Sequence, residues 1–213
     1  MEELKKLLTN PFVLFDVNSF KVKCHIIAID LFRNFFIQCG VQMYYFAEIE
    51  FYYYDKDRFD MEWNTVTYPR TDKEAGDLFF HYSGVDICFD SNFKDGRFGG
   101  ILIRSLKNAE GQFITGPSVC SLEMLNVCSK QKIWPQIIYK AGCNNCKVGI
   151  TERYGIEYKS DEVEGEPLCF FDTQLSEVNN RKNKFENATW DFSKKESKSL
   201  TRYYQRDFTS LLK

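Results

Sequence analysis

Four short stretches carry the residue types most able to do chemistry. Glu50 sits in a ring-rich run beside Phe51 and Tyr52. A carboxylate placed there can act as a base toward water, or can lie on a solvated face next to Glu48. Arg104 is enclosed by Ile101, Leu102, Ile103 and Leu106. If buried, its guanidinium needs an acidic partner, because an unpaired buried charge is costly. Its planar fork can hold a carboxylate, a phosphate or an attacking water, and a structural ion pair or a strand-edge position is the alternative. His81, among Phe79, Phe80 and Tyr82, can stack on a flat ligand, donate a hydrogen bond or simply pack in the core. Gly116-Pro117-Ser118 offers backbone N–H groups at a helix start, an arrangement that attracts anions and is also common without one.

The eight cysteines form a weaker pattern. Cys143-Asn144-Asn145-Cys146 is a single C-x-x-C with no second ligand pair, and His25 and His81 are the only histidines. Zinc or a redox pair is one reading, and reduced, buried thiols are the other. No disulfide framework is expected in a chain of this length without an export signal. Charge is segregated near the end. Residues 151–170 hold six acidic residues against two basic, and residues 173–213 hold nine basic against five acidic, with Trp190, Tyr203 and Tyr204 interleaved. Such a basic, aromatic tail fits a nucleic-acid footprint or a solvated segment.

These residues must be positioned by a mixed set of elements. Leu4, Leu7 and Leu8 share one helical face, and Pro11 stops that helix. A second apolar helix covers Cys24 to Phe32. Tyr44 to Tyr54 alternates, with Ala47, Ile49, Phe51 and Tyr53 on one face and Phe46, Glu48, Glu50 and Tyr52 on the other. Residues 55–75 read as an irregular crossing. Leu78–Tyr82 and Val85–Asp90 form a hairpin about Ser83-Gly84, and a turn at Lys94-Asp95-Gly96 leads into the strand 99–106. Pro117 then opens a helix whose apolar positions are Val119, Leu122 and Leu125.

Composition bounds the rest. The chain has 213 residues, 44% hydrophobic, 27% charged and 16% aromatic, which is globular rather than disordered or fibrous. A net charge of −2 excludes a wholesale polyanion binder while leaving room for a local basic face. The apolar runs Phe35–Ile37 and Gln42–Ala47 fall far short of the roughly 20 residues a membrane helix needs. The start shows no secretory leader, so a cytoplasmic, monomeric protein with no membrane association is expected. The economical architecture is α+β, a single domain over 1–213 with a curved antiparallel β-sheet flanked by helices.

Taken in order, several of these pieces resemble the alkyladenine (3-methyladenine) DNA glycosylase family. Ala47-Glu48-Ile49-Glu50-Phe51-Tyr52 resembles that family's glutamate-x-tyrosine strand. The stretch from Gly76 through His81 and Tyr82 to Cys88-Phe89-Asp90 resembles its glycine-started hairpin. Gly100-Ile101-Leu102-Ile103-Arg104-Ser105-Leu106 is similar to its arginine strand, and Gly116-Pro117-Ser118 to its helix start. The match is best over 25–125, and Leu200-Thr201-Arg202-Tyr203-Tyr204 corresponds to a last strand.

The resemblance implies hydrolysis of the N-glycosidic bond of a damaged purine flipped out of double-stranded DNA. It implies Glu50 as the base toward water and Arg104 as the group that holds that water. It also implies Tyr52, His81 and Asp90 as the base pocket and Tyr82 or Ser83 as the intercalating residue; Gly116 and Ser118 remain the backbone anion site read from the helix start itself. Metal and organic cofactors are not implied. A non-catalytic relative that binds a nucleoside, a nucleic acid or a protein is the alternative. The family's loop histidine has no counterpart, since its position falls near Met61, and the family's pocket asparagine aligns with Asp90.

Overall fold

A computed structural model of the chain describes residues 2–9, 17–55, 73–89, 96–151 and 169–177. The irregular crossing after Asp55, Met61, Asp90, the acidic stretch up to 168, and the basic tail with Trp190 and 200–204 lie outside these residues. The chain order is α1 (Glu2–Leu8), α2 (Val17–Asn34), β1 (Phe35–Cys39), β2 (Gln42–Asp55), β3 (Leu78–His81), β4 (Gly84–Cys88), β5 (Arg97–Asn108), β6 (Phe113–Thr115), α3 (Pro117–Gln131), β7 (Gln136–Tyr139), β8 (Val148–Thr151) and β9 (Cys169–Asp172), with a 3-10 helix over Thr173–Glu177. The strands run in the order β3-β4-β5-β2-β1-β7, with β6 also on β5, β9 also on β2 and β8 on β9. Every pair among them is antiparallel. The sheet curls into a half-barrel accompanied by the three helices, so the α+β, single-domain architecture expected from the sequence is what forms.

The helices form because their apolar residues recur at helical spacing. In α2 the buried residues Phe20, Cys24, Ile27, Ala28, Leu31 and Phe32 make one stripe, and the helix extends beyond the 24–32 expected. Leu4 and Leu8 of α1 join the same core. In α3 the sequence-based stripe is the wrong one. Val119 and Leu122 are 52% and 60% exposed, and the buried positions are Cys120, Ser121, Met124 and Cys128. Cysteine is a small hydrophobe as readily as a reactive group, and here two thiols complete the apolar face. Strand β1 follows α2 without a break, and β7, β8 and β9 also form where sequence patterning was silent.

The end of α2 explains the Cys143–Cys146 motif. A helix C-terminus leaves carbonyls without intrahelical donors. The loop after β7 supplies them. Lys140 N–H donates to Asn34 O, Asn144 Nδ2 to Phe32 O, and Asn144 N–H to Arg33 O. The Cys143 thiol lies 3.5 Å from Arg33 O and the Cys146 thiol 3.8 Å from Phe32 O. Burial pushes the Cys146 thiol up to about 11 and raises Cys143 as well. All eight cysteines are free. The two thiols sit at a helix cap, an arrangement in keeping with the reduced-thiol reading.

His25 of α2 packs edge-on against Phe170 of β9, ring centroids 5.1 Å apart. Burial lowers its pKa from 6.5 to about 4, so the folded chain refuses a proton that the unfolded chain accepts. Its stabilising contribution is therefore complete above pH 6.5 and is lost as pH falls from 6.5 toward 4. In denaturant titrations at pH 7 and pH 4.5, His25→Gln is expected to lose less stability on acidification than wild type. Equal losses in the two proteins would refute this assignment.

Candidate functional site

The site is built by an irregularity shared by two neighbouring strands. Between β2 and β5 the register runs Phe46↔Leu106, Glu48↔Ser105, Ile49↔Ile103, so Ala47 on one strand and Arg104 on the other have no cross-strand partner. The two insertions cancel, and pairing continues down to Asp55↔Arg97. Their effect is on facing. The core takes Tyr44 and Phe46 before the irregularity and Ile49, Phe51 and Tyr53 after it, and on β5 it takes Ile101 and Ile103, then Leu106. Unbroken alternation from Tyr44 and Phe46 would drive Glu48, Glu50 and Tyr52 into the apolar core. Paired bulges turn them, with Arg104 and Ser105, to the opposite face. The sequence-based faces hold for Ile49 to Tyr53. Phe46 is corrected, since it belongs with the core.

On that opposite face, residues directly across the sheet form one row: Phe79, Asp86, Leu102, Glu50, Cys169 and Thr151, contributed by β3, β4, β5, β2, β9 and β8. Glu50 sits near its middle and is 0% exposed. Arg104 Nη1 donates to Glu50 Oε1 at 2.9 Å, and the Tyr52 hydroxyl donates to Glu50 Oε2 at 2.6 Å. Glu48 is the second acid of the cluster. Its Oε1 lies 3.3 Å from Arg104 Nε, and its Oε2 accepts from Ser105 Oγ at 2.8 Å. The Cys169 thiol approaches Glu48 Oε1 at 3.8 Å. Burial disfavours the Arg104 cation, and the Glu50 and Glu48 carboxylates outweigh that, so the guanidinium is held above its ordinary range and stays charged.

Among the described residues, two carboxylates thus share one guanidinium in a buried setting. Glu48, Glu50 and Cys169 bring potential metal-ligand atoms within 4.8 Å of one another. Arg104 already seats a cation against both carboxylates, so a divalent ion would have to displace it. Farther along the same face, Lys107 Nζ bonds Asp172 Oδ2 at 2.7 Å and lies over the Phe113 ring at 5.6 Å.

The other expected site residues are placed as follows. Strand β3 ends at His81 and β4 starts at Gly84, so the hairpin turn is Tyr82-Ser83, one residue earlier than expected. Tyr82 stands at its tip, 99% exposed. Behind it, the Ser83 N–H donates to His81 Nδ1 at 3.2 Å, and His81 Nε2 faces Asp86 Oδ1 at 3.3 Å. The His81 ring stacks on Phe79 at 5.5 Å. Nδ1 therefore accepts a hydrogen bond within the hairpin and Nε2 lies against the Asp86 carboxylate, with the ring held on Phe79. Gly84 has φ +152, and a Cβ there would come within 2.8 Å of Pro117 Cβ, so the hairpin docks closely on the start of α3.

At that start, Gly116 adopts φ +103, a conformation that favours glycine. Its N–H donates to Arg104 O at 2.8 Å, which ties the helix start to the sheet. Ser118 Oγ lies 3.4 Å from Ser83 O, tying the same corner together. Asp90 lies outside the described residues. Glu48, Asp86 and Cys169 are the site residues that the sequence did not single out. Only Glu48 carried a signal, being the second acid on the Glu50 face.

Comparison of the sequence with protein-family models and with curated proteins returns no match. None of the described helices is long and apolar enough to cross a membrane.

Proposed function

We propose that this chain is a divergent DNA glycosylase-like hydrolase that cleaves the N-glycosidic bond of a damaged purine turned out of the duplex. The observation that carries this reading is the convergence of Glu50, Tyr52 and Arg104 from two strands into one hydrogen-bonded group. Arg104 and Tyr52 hold the Glu50 carboxylate in a single orientation, the arrangement that general-base attack by water calls for. A transition state with positive charge on the sugar gains from a carboxylate held beside it. Tyr82 supports the same reading, because an aromatic ring projecting from a stiffened hairpin can enter the space left by an extruded base. Glu50 supplies the base and Arg104 the cation, so the chemistry needs no metal or organic cofactor. We place the protein in the cytoplasm as a monomer.

The direct test is base release from duplex oligonucleotides carrying hypoxanthine, ethenoadenine or an alkylated purine. Release by the wild-type protein is expected. No release from any of them by folded protein would overturn the assignment. Tyr82→Ala is expected to weaken binding to lesion-bearing duplex by about 1–3 kcal/mol, the range of one aromatic–base stack. Its unfolding midpoint should not move, since Tyr82 is 99% exposed. Unchanged affinity would remove the hairpin tip from the interface.

A second reading has its own observation. Both oxygens of the fully buried Glu50 are engaged, as in a purely structural ion cluster. On that reading the chain is a non-catalytic relative that binds a nucleoside, nucleic acid or protein partner. Ligand binding without base release would establish it.

A further inference from the structure

Glu48 lies outside the set of residues assigned above to the reaction, yet it is the second carboxylate on Arg104. Its position is held from two sides, by the Ser105 hydroxyl at 2.8 Å and the Cys169 thiol at 3.8 Å. Its contact with Arg104 Nε, 3.3 Å, is ionic rather than directional, because Nε makes no hydrogen bond among the described residues. One carboxylate would be enough to pair a buried guanidinium. A second one at the same guanidinium costs desolvation of its own, so its place there asks for a role beyond neutralising Arg104.

The arrangement has two physical consequences. Arg104 is drawn toward acids at both its Nε edge and its Nη1 end, which fixes the plane of the fork. Its positive charge is also divided, so Glu50 surrenders less of its negative charge than it would in a one-to-one pair.

We infer that Glu48 is a positioning residue of the Glu50 site, anchoring Arg104 and sharing its charge so that Glu50 keeps its strength as a base. This rests on the reading of Glu50 as the base toward water. Among the described residues, the ionisable groups facing Glu50 include Glu48 and Tyr52 from β2, Arg104 from β5 and Cys169 from β9.

The test compares Glu48→Gln and Ser105→Ala with wild type in steady-state base release between pH 5 and pH 9, alongside thermal unfolding. Glu48→Gln keeps the side-chain shape and removes the charge. It is expected to lower kcat by about 10-fold to 100-fold with KM near wild type, the scale of a misplaced catalytic group. The acidic limb of its pH–rate profile should move to lower pH, because Arg104 then bears on Glu50 alone. Ser105→Ala keeps the charge and loosens its anchor, so a smaller kcat loss with an unmoved limb is expected. A folded Glu48→Gln with wild-type kcat and an unmoved limb would overturn the role of Glu48 while leaving Glu50 as the base. If Glu48→Gln does not fold, an unchanged kcat in Ser105→Ala overturns it instead. If wild type releases no base, the catalytic reading and the role of Glu48 fall together.

Discussion

Glu50→Gln is expected to reduce base release by about 100-fold to 10,000-fold, the usual contribution of a positioned general base, while the protein remains folded. The fold survives because the substitution removes charge without removing contacts. The new amide oxygen can accept from Arg104 Nη1 while the amide N–H donates to the Tyr52 hydroxyl oxygen, so both present partners are kept. Glu48 stays as the counter-ion, so the cluster becomes one carboxylate with one guanidinium. Circular dichroism and an unfolding curve establish the fold, and single-turnover base release from a hypoxanthine duplex establishes the loss. Activity retained in the folded variant would remove Glu50 from the mechanism. Inactive wild type and variant alike would point to the ligand-binding relative instead.

Arg104→Ala should be the most damaging substitution for stability. It strands two buried carboxylates, and breaking a buried pair by deleting one partner costs about 3–5 kcal/mol. Base release should fall with it, since Glu50 loses the group that orients it. Replacing all three charges, as Arg104→Met with Glu48→Gln and Glu50→Gln, should recover much of the loss, because no uncompensated charge remains. Arg104→Ala with wild-type stability and wild-type base release would mean that Arg104 is not part of a buried cluster.

Several parts of this arrangement were legible in the residues alone. Glu50, Tyr52 and Glu48 read correctly as one face of a strand, because period-two alternation survives from Ile49 to Tyr53. For Arg104 the residues required an acid if the side chain is buried and left a strand-edge position open; it is buried, against two carboxylates. The hairpin was visible to within one residue of its turn. Other parts had no local signal. The buried face of α3 was misread because Cys120 and Cys128 do the packing that Val119 and Leu122 were expected to do. The Cys143–Cys146 motif read as possible chemistry because a helix cap formed by a distant loop cannot be inferred from spacing. Strands β7, β8 and β9 are four residues each, too short for a pattern to stand out.

What the amino-acid order settled, then, is the kind of elements and which residues share a strand face, because those follow from periodicities within one segment. Which acid meets Arg104 is a different kind of fact. It depends on Ala47 and Arg104 being skipped together in the pairing of β2 with β5, and on β9 arriving beside Glu50 to add Cys169. A bulge is a property of two strands in register, and the ion cluster is a property of three. Neither exists until the sheet has closed around them, so only the tertiary structure could turn two glutamates and an arginine, 54 residues apart at their direct contact, into one site.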